Sequence, residues 1–466
     1  MLKRATINHH LFFHMEDRMK LIIPPSPFLL DERVFPSLGI LSVANSLPTE
    51  VLDLAGRSID IEYPCSDVYG ITATTPQMPA AMGIARHIKS QWPGSRVILG
   101  GPHATLVHAS LKRGGKRAVS AWDSLDIFDT VVAGDGEESI LEAVKPGAPK
   151  VIDADDRKSP YWQTSDKFNA RPFPARHLID LDSYHYEIEG KRATSLIAQL
   201  GCPFECNFCG GRLSPMLRHI RKRSVASILA ELESLPYEGF MFYDDELNVS
   251  TSLVALMKAI AGLGRDLRLR GFVKAELFTE EQAEAMYGAG FRWVLVGFES
   301  GSDQILKAIN KKATKDDNTR AIEIAHKAGL KVKALMSIGH PGESPQTIGE
   351  TRDWLLKVKP DDFDITVITT YPGTPYYDNA VPHGKDWVYD HEGRLYQKEV
   401  DYTKTADYYK GRAGDYVSHV WTDYLSPQDL VVARDALESE IRSKFNIPAP
   451  RAYEHSMGQN NTLHTK

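Results

Sequence analysis

Between Thr194 and Thr370 the sequence repeats one pattern six times: a short apolar run, a turn, then apolar residues at helical spacing. The runs are Ser195–Leu200, Gly239–Tyr243, Leu267–Leu277, Phe291–Glu299, Lys331–Ile338 and Asp362–Thr370. Strands that alternate with helices lie parallel, because each helix carries the chain back to its starting edge. Six such units curl into a partial barrel, shorter than the full eight. The helix signals are local. Ser224 precedes Val225, Ile228, Leu229 and Leu232, a capped stripe at i, i+3, i+4, i+7. Thr279-Glu-Glu-Gln282 is a capping box, and Gly290 and Gly329 stand where two helices stop before a strand.

A second α/β unit precedes this one. Its strand candidates are Met19–Ile23, Val51–Leu54, Val68–Thr72, Arg96–Leu99 and Thr130–Ala133. Its helix candidates are Leu38–Ser46, Pro79–Gln91 and Glu137–Val144. The expected fold class is α/β: a doubly wound parallel sheet, then a partial (β/α)6 barrel, then an α-rich C-terminal extension. The expected divisions are an extension at 1–18, a Rossmann-like domain at 19–145, a linker at 146–192, the barrel at 193–370, the C-terminal extension at 371–446 and a polar tail at 447–466. A chain of 466 residues has enough material for that many cores. In doubly wound sheets the turns after the strands form the ligand edge. Here those turns are Thr72-Ala-Thr-Thr75, Gly100-Gly-Pro-His103 and Gly134-Asp-Gly136. No Gly-x-Gly-x-x-Gly opens the first helix, which weakens a nicotinamide reading.

Three of the four cysteines, Cys202, Cys206 and Cys209, fall in one loop after the first barrel strand; Cys65 is alone. Barrel active sites are built at that carboxyl end. Thiols so close in a chain without a secretion signal point to a metal rather than a disulfide, and to a cytoplasmic location. Three thiolates leave one iron of a four-iron cluster open to another ligand. A tetrahedral zinc site also wants four donors, with His219 the nearest candidate. That second reading is a zinc-stabilised binding protein. With 55 basic against 61 acidic residues, the balance argues against nucleic acid as a partner. No run reaches the apolar length that spans a bilayer. The basic stretch Arg218–Arg223 reads as a solvated face, with an anion-holding site as the alternative.

Cys-x3-Cys-x2-Cys, with Gly201 before it and Phe208 before its last cysteine, resembles the radical SAM superfamily. The wording of the first domain resembles the cobalamin-binding domain of cobalamin-dependent members. That likeness rests on Pro24-Pro25, Phe35–Leu41, Thr72–Thr75, Leu99–Ala104, Ala133–Glu138 and Asp182-x-Tyr184. It implies a [4Fe–4S] cluster on Cys202, Cys206 and Cys209, with S-adenosylmethionine (SAM) chelating the open iron. One electron then cleaves the sulfonium to a 5′-deoxyadenosyl radical, and an external donor such as flavodoxin or ferredoxin supplies that electron. The resemblance also implies SAM contacts at Phe208, Asp244, Asp245, Lys274, Glu276, Gly297, Glu299 and Ser337. Strand alternation places Lys274 and Glu276 inside the barrel. The family's amino-group motif, often Gly-Gly-Glu, falls at Tyr243-Asp-Asp-Glu246. Cobalamin contacts are implied at Leu38, Thr74, Thr75, Gly101, Pro102, His103, Gly134, Gly136 and Glu137. Asp-x-His-x-x-Gly, which supplies a histidine to cobalt elsewhere, is absent; His103 lies outside that pattern, and a surface histidine is the alternative reading for it. The implied reaction is methylation of an unactivated carbon of a small molecule, with cyclisation or another rearrangement as the alternative, with or without bound cobalamin. No residue is marked as a catalytic acid or base. Tyr371, Tyr376 and Tyr377 are candidates for pocket lining or core.

Overall fold

The structure is a computed structural model that describes residues 19–408 and 416–448; the expected extension at 1–18 and nearly all of the tail lie outside them. The first sheet comprises β1 (Met19–Ile23), β2 (Glu50–Asp53), β3 (Val68–Thr72), β4 (Arg96–Gly100), β5 (Thr130–Ala133) and β6 (Val151–Asp153). Their order is β2-β1-β3-β4-β5-β6, all parallel. Every residue of β1 is buried. Met19, Leu21 and Ile23 enter one core while Ile22 enters the other, so the sheet is covered on both faces. The chain order reverses between β1 and β3, where doubly wound sheets bind ligands. The sheet extends through β6, inside the segment expected as a linker.

The second sheet begins with the hairpin β7 (Glu187–Ile188) and β8 (Lys191–Leu196). A short ladder, β9 (Gln199–Leu200) against β10 (Arg221–Lys222), spans the cysteine loop. Then come β11 (Gly239–Phe242), β12 (Arg268–Phe272), β13 (Phe291–Glu299), β14 (Lys331–Ile338) and β15 (Asp362–Val367). The order β15-β14-β13-β12-β11-β8-β7 is parallel from β8 to β15. This is the expected six-unit partial barrel. Its open edge is covered by the C-terminal helix Pro427–Phe445. From that helix Arg434 donates to the Ile365 carbonyl at 3.1 Å and Arg442 to that of Phe363 at 2.9 Å. The helix thereby occupies acceptors that a bare edge strand would expose.

Two local differences matter. The strand expected at Leu267–Leu277 stops at Phe272, and Ala275–Leu277 forms a tight turn. Asn248 causes the break: its amide accepts from Lys274 N at 2.8 Å and donates to Lys274 O at 2.9 Å, taking the place of a neighbouring strand. Lys274 and Glu276 are therefore placed by a turn, not by alternation. Ahead of the C-terminal helix, the extension also carries an antiparallel meander of β16 (Val381–His383), β17 (Asp386–Asp390), β18 (Arg394–Gln397) and β19 (Val420–Thr422).

Candidate functional site

Gly201 opens the cysteine loop at φ 93°, and a Cβ there would run into the His219 carbonyl oxygen. Only glycine fits that turn. The loop is then pinned from several sides. Cys202 N donates to Leu217 O at 2.9 Å, Asn207 N to Ile309 O at 2.9 Å, and Asn310 Nδ2 to Glu205 O at 2.8 Å. Phe208 anchors it on Ile305, Leu306 and Ile309 and meets the His340 ring edge-on at 5.5 Å.

Burial pushes the Cys202 thiol up to about 11 and that of Cys209 to about 12, with the other two thiols of the loop adding to the rise at Cys209. Cys206 is also raised by burial, while the Lys311 and Lys274 ammoniums oppose that rise. Thiols so placed become thiolates only beside a strong positive charge, which a metal centre supplies. Among the described residues, no group of three His, Cys, Asp or Glu is gathered to hold a single metal ion. His219 lies against Trp162 at 5.3 Å. A zinc ion needs its donors to converge on one point, whereas a cluster needs each thiolate to reach only its own iron. Three thiols on one loop match the three ligands such a cluster takes from the protein.

The acidic turn after β11 divides its labour. Asp244, 1% exposed, accepts from the backbone N–H groups of Ala198 and Gln199, and burial pushes it up to about 7. Asp245 accepts from Gly201 N at 2.8 Å, holding the entry of the cysteine loop. Glu246 is different: its Oε2 is buried and, among the described residues, has no hydrogen-bond partner. Burial pushes Glu246 to about 7, against the pull of Lys311 and Lys274. It is the residue the sequence reading passed over, although it stands third in the turn where the family's motif carries its Glu.

Lys274, 2% exposed, pairs with Glu276 at 2.5 Å, donates to Lys311 O at 3.1 Å and lies 4.3 Å from the centre of the Phe204 ring. Among the described residues Glu276 Oε2 has no hydrogen-bond partner. Lys311, 5% exposed, donates to Glu299 Oε1 at 3.1 Å. Burial alone would lower the Lys311 pKa, but Glu299, Cys206 and Glu246 outweigh it and hold it above the ordinary range. Glu299 sits at φ 64° on a bulge of β13. A Cβ on Gly297 would meet Glu299 Oε1 at 2.7 Å and Lys311 Nζ at 3.2 Å, so the missing side chain makes room for this ion pair.

Glu299 Oε2 accepts from Ser337 Oγ at 2.9 Å; Ser337 Oγ lies 2.8 Å from His340 Nε2, and His340 Nδ1 lies 3.3 Å from Tyr376 Oη. Donor count assigns the direction. The carboxylate only accepts, so Ser337 gives it its one proton, His340 carries its proton on Nε2, and Tyr376 donates to Nδ1. Burial holds His340 down at about 4, neutral throughout the physiological range. Lys311, His340 and Tyr376 were not singled out for this cluster, because segments far apart in the chain assemble it.

The residues expected at the other site follow the strands of the first sheet. Thr74 and Thr75 follow β3, Gly101, Pro102 and His103 follow β4, Gly134, Gly136 and Glu137 follow β5, and Leu38 begins the helix after the β1 loop. Gly101, at φ 93°, has Thr72 Oγ1 and Ala73 N within 2.8 Å of where a Cβ would stand. His103 is not at the surface: it is 2% exposed, lies 3.0 Å from Thr75 Oγ1, and burial lowers it to about 3. Glu137 pairs with Arg171. The Arg218–Arg223 stretch is not a solvated face either. Arg221, 1% exposed, pairs with Asp135, and Arg223 pairs with Glu231. Tyr376 and Tyr377 are core residues, 0% and 2% exposed.

The carboxyl edges of the two sheets face each other. Leu106 lies against the Cα of Gly210 in the cysteine loop and of Gly373. Asp155 accepts from Ser214 Oγ at 2.6 Å and Met216 N at 2.8 Å, and Phe35 meets Tyr243 at 5.4 Å.

Residues 196–355 match the Radical SAM superfamily, so this part of the chain is a radical SAM domain. The chain is 26% identical over 394 residues to an uncharacterized methyltransferase of Pyrococcus horikoshii, covering 78% of this chain and 83% of that one. It is 23% identical over 337 residues to the anaerobic magnesium-protoporphyrin IX monomethyl ester cyclase of Cereibacter sphaeroides, covering 67% of this chain and 52% of that one. The fold is that of the radical S-adenosylmethionine methyltransferase TsrM from Kitasatospora setae, solved with cobalamin and a [4Fe–4S] cluster bound. The TM-score is 0.62 at 16% identity, over 92% of this chain and 89% of that one.

Proposed function

We propose that this chain is a cobalamin-dependent radical SAM enzyme that methylates an unactivated carbon of a small molecule. The observation that carries the reading is the gathering of three thiols, Cys206 buried and Cys202 and Cys209 half-buried, and the Glu246 carboxylate at one sheet edge, opposite the glycine turns of the other. Cys202, Cys206 and Cys209 would hold the cluster; Thr74, Thr75, Gly101, His103, Gly134 and Gly136 lie where the cobalamin would rest. Bound there, the cofactors supply one-electron cleavage of a sulfonium, hydrogen abstraction and a transferable methyl group.

The chain's own residues bind and orient. Glu246 accepts from an ammonium, which satisfies its buried oxygen. Lys311 and Ser337 fix both oxygens of Glu299, leaving their remaining lone pairs for hydroxyl donors. The His340 and Tyr376 hydrogen bonds keep that arrangement in a single direction. The electron comes from an external donor of the flavodoxin or ferredoxin kind. Among the described residues no helix is long and apolar enough to cross a membrane.

Cyclisation is the second reading, favoured by the similarity to the Cereibacter cyclase. Anaerobic reconstitution with SAM and reductant tests the reaction class. 5′-Deoxyadenosine should form and be lost in Cys206→Ala; its formation unchanged in that variant refutes the proposal. Product mass then separates a gain of one methyl group from loss of hydrogen.

A further inference from the structure

The end of β11 turns two side chains toward the space between the domains. Along Phe242–Asp245 accessibility alternates: Phe242 and Asp244 are buried, Tyr243 and Asp245 exposed. A period of two puts Tyr243 and Asp245 on one face. Tyr243 keeps 44% of its surface accessible, yet the protein around its hydroxyl raises its pKa by desolvation. An accessible ring that also meets Phe35 of the other domain lines the space between the two domains.

Its neighbours are also rings. Phe35, from the loop after β1 of the other domain, stands 5.4 Å away at 53°, and Phe272, the last residue of β12, stands 6.4 Å away at 82°. Phe35 packs edge-on against Tyr186 at 4.6 Å, and both phenylalanines border the barrel's inner apolar cluster. Two rings at strand ends and one from the loop after β1 thus form a tilted, supported floor. Beside it Asp245 is exposed although Gly201 N holds its Oδ2 at 2.8 Å; among the described residues it makes no ion pair.

We propose that Tyr243, Phe35 and Phe272 are the platform for the substrate, and that the substrate is a flat, ring-bearing molecule with a cationic or N–H donor group at its edge. The assignment of this occupant as substrate rests on the radical SAM reading; the recognition needs only the floor and the carboxylate. Tilted and edge-on rings complement a further ring through their quadrupoles. An exposed carboxylate held in place by a backbone N–H attracts a cationic or N–H donor and repels an acid.

Isothermal titration of the reconstituted chain with three probes of matched size tests this: 2-phenylethylamine, phenylacetate and 2-cyclohexylethylamine. Phenylethylamine should bind at least tenfold tighter than either comparator. Tyr243→Ala should lose tenfold or more, Tyr243→Phe should retain binding, and Asp245→Asn, which keeps an acceptor for Gly201, should narrow the gap between amine and acid. Iron content and SAM affinity should stay unchanged in Tyr243→Ala, separating this loss from loss of the cluster. Equal binding of the cyclohexyl probe, or unchanged binding in Tyr243→Ala, overturns the proposal. Competitive displacement of phenylethylamine by SAM also overturns it, by assigning the rings to adenine. If no 5′-deoxyadenosine forms while the probes bind as expected, the reaction reading fails and this recognition stands.

Discussion

Replacing Glu246 with Gln should make the cluster-free chain more stable and a poorer binder of SAM. Burial, opposed by Lys311 and Lys274, raises Glu246 from 4.5 to about 7. The folded state therefore binds this proton more tightly than the unfolded chain does. Below pH 4.5 the group is neutral in both states and costs nothing. Between pH 4.5 and 7 the unfolded state ionises first, and stability falls as pH rises. Above pH 7 the full cost is present: at about 1.4 kcal/mol per pH unit, no more than about 3.5 kcal/mol. Gln carries no charge and removes that cost. Thermal unfolding should show Glu246→Gln melting several degrees above the parent at pH 8 and level with it at pH 4. SAM affinity should move the other way. Below pH 7 the protonated carboxyl cannot pair with an ammonium, so wild-type affinity should fall about tenfold per unit, while the variant binds weakly with no such slope. A variant less stable at pH 8 that binds SAM as the parent does would refute this role.

Gly201→Ala should abolish iron incorporation while both sheets persist, because the left-handed turn and the His219 carbonyl leave no space for a Cβ; iron analysis with circular dichroism checks it. His340→Phe strands the buried Tyr376 hydroxyl, at about 1–3 kcal/mol, and removes the donor that orients Ser337 toward Glu299. It should lower the melting temperature and weaken SAM binding, whereas His340→Gln, whose amide can donate to Ser337, should recover most of the affinity in equilibrium dialysis. Arg221→Met removes a buried guanidinium that pairs with Asp135 across the two domains. It should raise proteolytic cleavage between the domains without changing the iron bound per chain.

Local signals in the sequence carried much of the architecture. Capping residues, helix-stopping glycines and apolar runs are short-range features, so Phe291–Glu299 and Lys331–Ile338 are strands with the bounds their patterns indicate. The cysteine spacing is equally local. What escaped is held by long-range contacts. Asn248 ends β12 from another segment, which moves Lys274 and Glu276 off the strand alternation. The three acids after β11 look alike in sequence; only the amides of Ala198, Gln199 and Gly201 occupy two of them and leave Glu246 unpartnered. Lys311 is in the site because Gly297 has no side chain to exclude it. The meander in the C-terminal extension has short strands, one wholly exposed, and so lacks a clear alternating pattern.

The central claim is that Cys202, Cys206 and Cys209 share one iron–sulfur cluster with an iron open toward the interdomain cleft. Electron paramagnetic resonance of the anaerobically reconstituted, reduced chain, recorded with and without SAM alongside metal analysis, tests it most directly. The account predicts about four irons per chain and a cluster signal that shifts when SAM is added. One zinc per chain, or an iron signal that SAM leaves unmoved, would contradict it.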